Sequence, residues 1–161
     1  MVRKLEQSAD GIRLDLQQRS FYRFSLLATQ INRAVTRAFV RQHGRPANAW
    51  KVITVLGRFG PLSASQIQAH TTLEADKITR IVDSLVEQGL AVRRQDKADR
   101  RRVSVALSAK GKNVNAGLER MIGEMEREFL AVLNRGERAT LYKLLDRLQA
   151  RGQQIFKATP A

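Results

Sequence analysis

Cysteine is absent from the chain, which excludes disulfides, thiolate metal sites and a peroxide-sensing thiol, and fits a reducing compartment. Histidine is nearly absent too: His43 and His70 are the two available, and His70, at a helix end, reads as a capping or surface residue. There is no Gly-x-Ser-x-Gly elbow, no phosphate-cradling Gly-rich loop and no cluster of metal-ligand residues, so no enzyme, cofactor or bound metal is expected. No apolar run approaches the roughly 18 residues of a membrane span. The first residues, Met-Val-Arg-Lys-Leu-Glu-Gln, lack a signal-peptide core, and a cytoplasmic protein with no membrane partner is the expectation. Internal repeats and low-complexity tracts are missing as well.

What the chain has in excess is positive charge. Its 161 residues carry 29 Lys/Arg against 15 Asp/Glu, a formal net charge of +14. Such a balance points to a polyanionic partner, nucleic acid or an anionic membrane surface. The length suits one small domain with long helical extensions, and a hydrophobic share of 43% is enough for a packed core. Residues 1–60 hold 11 cations and 3 anions, residues 61–102 hold 8 and 6, and residues 103–161 hold 10 and 6. Much of the excess therefore lies on Arg19, Arg23, Arg33, Arg37 and Arg41. Singly these read as solvated helix positions; together they would draw a phosphate backbone, an effect that weakens with salt.

Apolar residues keep helical time from Leu16 to about Gln42, through Phe24, Leu27, Ile31, Val35 and Phe39, until Gly44 and Pro46 interrupt them. A second helix, Ala47 to Arg58, carries Trp50, Ile53, Val55 and Leu56 and is ended by Gly57, Gly60 and Pro61. Ser63 and Gln66 form a capping-box pattern opening a third helix up to His70, and Thr71 with Glu74 repeats it before a fourth, Glu74–Gln88. The fourth buries Ile78, Ile81/Val82 and Leu85, shows Asp76, Thr79/Arg80 and Asp83 on its other face, and stops at Gly89. Leu90–Gln95 and Arg102–Leu107 alternate as two strands, with Val103, Val105 and Leu107 on one face. Ser108 then caps a long helix to about Leu133, Gly136 marks a turn, and a last helix carries Leu141, Leu144/Leu145, Leu148 and Ile155.

An amphipathic helix followed by a hairpin whose flank and tip hold Arg93, Arg94, Lys97, Arg100, Arg101 and Arg102 is the sequence form of a winged helix. The expected fold is mainly α with a small β-hairpin wing: a winged helix-turn-helix flanked by N- and C-terminal dimerisation helices. The expected divisions are 1–45 (N-terminal dimerisation helix), 46–107 (DNA-binding domain) and 108–161 (C-terminal dimerisation helices). The central elements are too small to cover the apolar stripes of both ends, so a homodimer is expected.

The runs Leu62-Ser-Ala-Ser-Gln-Ile67 and Ile78-Thr-Arg-Ile-Val-Asp-Ser-Leu-Val-Glu-Gln-Gly-Leu90, and Asp99-Arg-Arg-Arg-Val-Ser-Val-Ala-Leu-Ser-Ala-Lys-Gly111, resemble the MarR family of bacterial transcriptional regulators. The order of elements matches over roughly residues 15–156. One departure lies at Glu74-Ala-Asp-Lys77, where many members carry a small or basic residue beside Ser or Thr. The resemblance implies a sequence-specific regulator, a repressor, whose homodimer holds an inverted-repeat operator in double-stranded DNA with half-sites about one turn apart. It places Ser63, Ser65 and Gln66 near phosphate, and Asp76, Lys77, Thr79 and Arg80 near base edges. Arg100 and Arg101 would enter the minor groove, or Arg101 would pair with Asp99. Asp76 would accept from a cytosine or cap its own helix, and Asp83 would orient a nearby arginine. Release by a small aromatic, anionic effector is also implied, with Arg19, Tyr22, Arg23, Ser25 and Trp50 as the candidate ligand-binding residues. The competing expectations are a non-specific architectural DNA-coating protein and, less well matched to the stripes, an amphipathic protein of membrane surfaces.

Overall fold

A computed structural model of the chain describes residues 15–44, 46–71, 73–95 and 103–156. Contacts divide it into two units, one ending at Leu118 and the other beginning at Glu119. In the first, a single 3-10 turn (Leu16–Gln18) leads into α1 (Ser20–His43). Gly44, in the left-handed region at φ 55°, closes α1 by donating its N–H to the Val40 carbonyl. There follow α2 (Ala49–Phe59), α3 (Ala64–His70), α4 (Ala75–Glu87), β1 (Ala91–Gln95) and β2 (Val103–Leu107), and then α5 (Ala109–Phe129).

The hairpin is antiparallel, with Ala91 opposite Leu107, Arg93 opposite Val105 and Gln95 opposite Val103. Leu62, between α2 and α3, adds an isolated bridge to Val105 through a reciprocal pair of backbone hydrogen bonds of 2.8 and 3.0 Å. The hairpin is therefore fastened to the chain that precedes α3 and α4. Phe39, Ile53, Ile67, Ile78, Leu85, Leu90 and Leu118 are all buried almost completely, which joins α1 to α5 through one core. Burial on this scale stabilises by about 1.5–3 kcal/mol per side chain.

The start of α5 is fixed to the end of α4 by close packing. The Ser108 hydroxyl donates to the Gly89 carbonyl at 2.7 Å and accepts from the Gly111 N–H at 3.0 Å. The Lys110 ammonium donates to the Gln88 carbonyl at 3.2 Å. Gly111 is required here because a Cβ would stand 1.9 Å from the Leu90 carbonyl oxygen.

In the second unit, a 3-10 turn (Leu130–Val132) ends the α5 run and α6 spans Arg135–Phe156. The Tyr142 hydroxyl on α6 donates to Glu126 on α5 at 3.2 Å. Its phenol is held above its ordinary pKa, chiefly by the Glu126 carboxylate, then by burial and by that hydrogen bond.

Three local expectations change. Thr71 does not cap α4: the N-cap residue is Glu74, without a side-chain cap, and the Thr71 hydroxyl accepts from Leu73 N–H instead. Gly136 is not the turn but lies inside α6, whose cap is Asn134: its side-chain Oδ1 accepts from the N–H groups of Gly136 and Glu137, while the Glu137 carboxylate accepts from Asn134 N–H. Gly57 lies within α2 rather than ending it, because it makes room for the Asn115 side chain of α5; Gly60, at φ 83°, is the residue that ends the helix. Val103, Val105 and Leu107 do alternate onto one face of β2, with Val103 40% exposed at the end of the strand and Val105 and Leu107 buried.

Candidate nucleic-acid interface

α4 is built as a two-sided helix. Ile78, Ile81, Val82 and Leu85 are spaced at three and four residues and face the core. About half a turn away around the axis, Asp76, Lys77, Thr79 and Arg80 are exposed. The Thr79 hydroxyl donates to the Ala75 carbonyl at 3.0 Å, so towards an outside partner it remains an acceptor. No hydrogen bond joins Asp76 to a described residue; in the first turn it complements the helix dipole without capping a backbone group. Arg80 and Lys77 are the donors that this face presents.

Asp83 lies on the same outer side and forms an ion pair and hydrogen bond with Arg93 on β1. The orienting role expected of Asp83 thus has its arginine, and the contact joins the reading helix to the wing. Arg94 and Gln95 are exposed beside it, and the Arg94 carbonyl accepts from the Ser104 hydroxyl across the hairpin. Arg94 belongs to the basic run read from the sequence but was not among the residues placed near DNA there. Arg100 and Arg101 lie outside the described residues.

At the start of α3 the capping box is complete. Ser63 N–H donates to Gln66 Oε1 at 2.8 Å, Gln66 N–H donates to Ser63 Oγ at 3.3 Å, and the Ser63 and Ser65 hydroxyls lie 3.0 Å apart. Ser63 and the Gln66 side-chain oxygen are thus engaged with their own helix and the Ser65 hydroxyl with that of Ser63, which leaves the Gln66 amide N–H groups without a partner among the described residues.

A cavity of about 450 Å³ opens between α1, α2 and the end of α3, lined among others by Asn32, Trp50, Lys51, Thr54, His70 and Thr71. Trp50 is its aromatic wall, fixed because its Nε1–H donates to Thr36 on α1 at 3.1 Å. The Lys51 ammonium stands 5.7 Å from the centre of that ring, and His70 stacks on Phe59 at 4.1 Å. The Thr54 hydroxyl is shielded from solvent and has no partner among the described residues. Of the five ligand-binding expectations, Trp50 lines this cavity; Arg19, Tyr22, Arg23 and Ser25 do not. Ser25 shares the helical azimuth of Asn32 but lies about 10 Å nearer the start of α1, and Arg19 and Arg23 are on another side of it. Asn32, Lys51 and Thr54 were missed from sequence, where nothing separates them from ordinary amphipathic positions.

A profile of the MarR family matches residues 43–102. A protein of Thauera aromatica, described as a candidate transcriptional regulator for the hcr operon, is 28% identical over 116 residues, 72% of this chain and 70% of its own. The fold is shared with a MarR/EmrR family regulator from Acinetobacter sp. ADP1, at a TM-score of 0.78 and 20% identity over 88% of this chain and 100% of that one. It is shared as well with Bordetella bronchiseptica BpsR, a protein whose DNA binding is regulated by 6-hydroxynicotinic acid. There the TM-score is 0.71 and the identity 18%, over 84% of this chain and 96% of the other.

Proposed function

The chain belongs to the MarR family of winged-helix transcriptional regulators, and we propose that it is a homodimeric repressor released from an inverted-repeat operator by a small aromatic acid. The observation that carries this reading is the outer face of α4: exposed Lys77, Thr79 and Arg80 on a helix packed against the core and paired through Asp83 to the wing strand. A helix so held can enter a major groove with its side chains already oriented, Arg80 reaching guanine and Asp76 a cytosine amino group. Gln66 and Ser65 serve the phosphates, and Arg100 and Arg101 extend the wing into the minor groove.

Dimerisation is supported by apolar residues left uncovered in the single chain. Phe24, Leu27 and Ile31 on α1, and Leu144, Leu145 and Leu148 on α6, are each more than 40% exposed. Stripes of this size mark association surfaces. Two-fold symmetry would present two copies of α4 about one helical turn of DNA apart.

The cavity supplies the effector reading. Trp50 offers a flat apolar wall, Lys51 a cation for a carboxylate, and Asn32 and Thr54 short polar groups that fix orientation. The regulation of BpsR by an aromatic acid supports the same ligand class. A ligand here would act by binding unequally to DNA-competent and DNA-incompetent arrangements of α1 against α2 and α3. The test is titration of the operator complex with benzoate, hydroxybenzoates and 6-hydroxynicotinate, alongside light scattering. A dimer released by at least one acid is expected; a monomer, or a complex indifferent to every acid, would refute this part of the reading.

A further inference from the structure

We propose that α1 carries a second, sequence-independent contact surface for the backbone of duplex DNA lying beyond the operator, an inference that rests on the DNA-binding reading above. From Leu16 to Leu73 the sequence holds eight Lys/Arg and not one Asp or Glu. Five of the eight are arginines on or at the start of α1: Arg19, Arg23, Arg33, Arg37 and Arg41. At about 3.6 residues per turn they share an arc of about 80°. Val35 and Phe39, the buried residues of the helix, lie on the other side. All five arginines are exposed, and none takes part in an ion pair or side-chain hydrogen bond with a described residue.

That pattern works against the helix itself. Arg33, Arg37 and Arg41 are consecutive i,i+4 neighbours of like charge, which is destabilising. Arg19 and Arg23 sit at the N-terminal end, where the helix dipole disfavours cations, and the first turn has no acid to offset them. Solubility alone would be served by mixed charges, and a solvated face would tolerate lysine; α1 has arginine at every one of its cationic positions. Arginine's planar fork is the group that grips phosphate with two parallel hydrogen bonds. Successive members of the Arg33–Arg37–Arg41 row rise by about 6 Å, close to two phosphates along one strand at about 3.4 Å each.

A lipid surface would meet the same charge but needs large apolar side chains on the contact arc to enter the bilayer boundary. Between these arginines the arc offers Leu26 as its one such residue. Duplex DNA is the occupant this face fits. Its effect would be to lengthen the protected region and steepen the salt dependence without adding base preference.

The test compares the protein with R33Q/R37Q/R41Q on two duplexes, one just spanning the operator half-sites and one carrying the operator within several-fold longer flanking DNA, each over a salt series. Circular dichroism and light scattering confirm that fold and assembly are kept, and the three single Gln variants stand in should the triple variant fail to fold. The expected result is unchanged binding of the short duplex. On the long one, affinity should fall and the slope of log K against log salt should decrease by about 1 per lost contact. R33K/R37K/R41K should keep most of the slope. Equal behaviour of wild type and the Gln variants on the long duplex would overturn the proposal. Equal weakening on both duplexes would overturn it too, by placing the arginines within the operator contact. Loss confined to vesicles of phosphatidylglycerol would assign the face to lipid instead. Failure of the underlying reading looks different: the wild type itself would then bind neither duplex.

Discussion

The carboxylate of Asp83 on α4 accepts a hydrogen bond from the guanidinium of Arg93 on β1, so that the reading helix and the wing are held by one ion pair across the elements they belong to. Both side chains are nearly half exposed, at 48% and 45%. An exposed pair of this kind contributes about 0–1 kcal/mol to stability, so its main consequence is orientation.

D83N and R93Q should therefore change the unfolding midpoint little while weakening operator binding several-fold, the double variant losing no more than the worse single one. The losses should shrink as salt rises. Denaturation curves and binding isotherms on the four proteins of the cycle test this; fully additive losses would show that the two residues act separately.

Gly111 and Gly123 lie on the same helix with opposite surroundings. A Cβ at Gly111 would meet the Leu90 carbonyl at 1.9 Å, whereas one at Gly123 would meet nothing within 4 Å. G111A should cost about 2 kcal/mol or more through overpacking. G123A should stabilise by about 0.5–1 kcal/mol through helix propensity. Urea unfolding checks the pair, and a G111A protein as stable as wild type would mean that α5 is not seated on Leu90.

Thr54 is the place where stability and response should separate. Replacing its unpartnered hydroxyl by the methyl of T54V should leave stability unchanged or raise it by about 1 kcal/mol. Operator affinity should stay the same, and the acid concentration that releases DNA should rise about 2- to 10-fold with the loss of one hydrogen bond. Release curves for the two proteins decide this; identical curves would remove Thr54 from the effector site.

Tyr142 titrates above an ordinary phenol because the Glu126 carboxylate disfavours the phenolate beside it. A raised pKa means that the Tyr142–Glu126 contact stabilises fully below the unfolded value of about 10 and is lost as pH climbs through the higher folded value. In a Y22F background Tyr142 is the remaining tyrosine. Its phenolate absorbance should rise at lower pH when E126Q is added, and an unmoved titration would contradict the contact.

The reading segment was legible because its signals are local. Helical spacing of Ile78, Ile81, Val82 and Leu85, the glycine at 89, and alternation through Val105 and Leu107 each fix an element without reference to the rest of the chain. The Ser63–Gln66 box was legible for the same reason, and the same rule misplaced a cap at Thr71, where an equivalent spacing exists but the helix begins three residues later, with Glu74 as its N-cap. Asn134 was overlooked because Gly136 is the louder turn residue, although Asn134 and Glu137 carry the actual cap. The cavity was not legible. Asn32, Lys51 and Thr71 come from three segments far apart in sequence, and their convergence depends on how α1 and α3 pack on α2. Trp50 could be named because a lone tryptophan stands out, not because its neighbours were known.

The reading helix bears most directly on what the protein does. Wild type and R80A should be compared on the DNA upstream of the protein's own gene and on a scrambled duplex of equal length, at about physiological salt. A sequence-reading Arg80 predicts that wild type prefers the native fragment and that R80A loses roughly 1–3 kcal/mol of that preference while keeping its affinity for scrambled DNA. Equal wild-type affinity for both duplexes, with R80A weakened equally on both, would contradict a sequence-specific regulator and leave a protein that coats DNA through its charge.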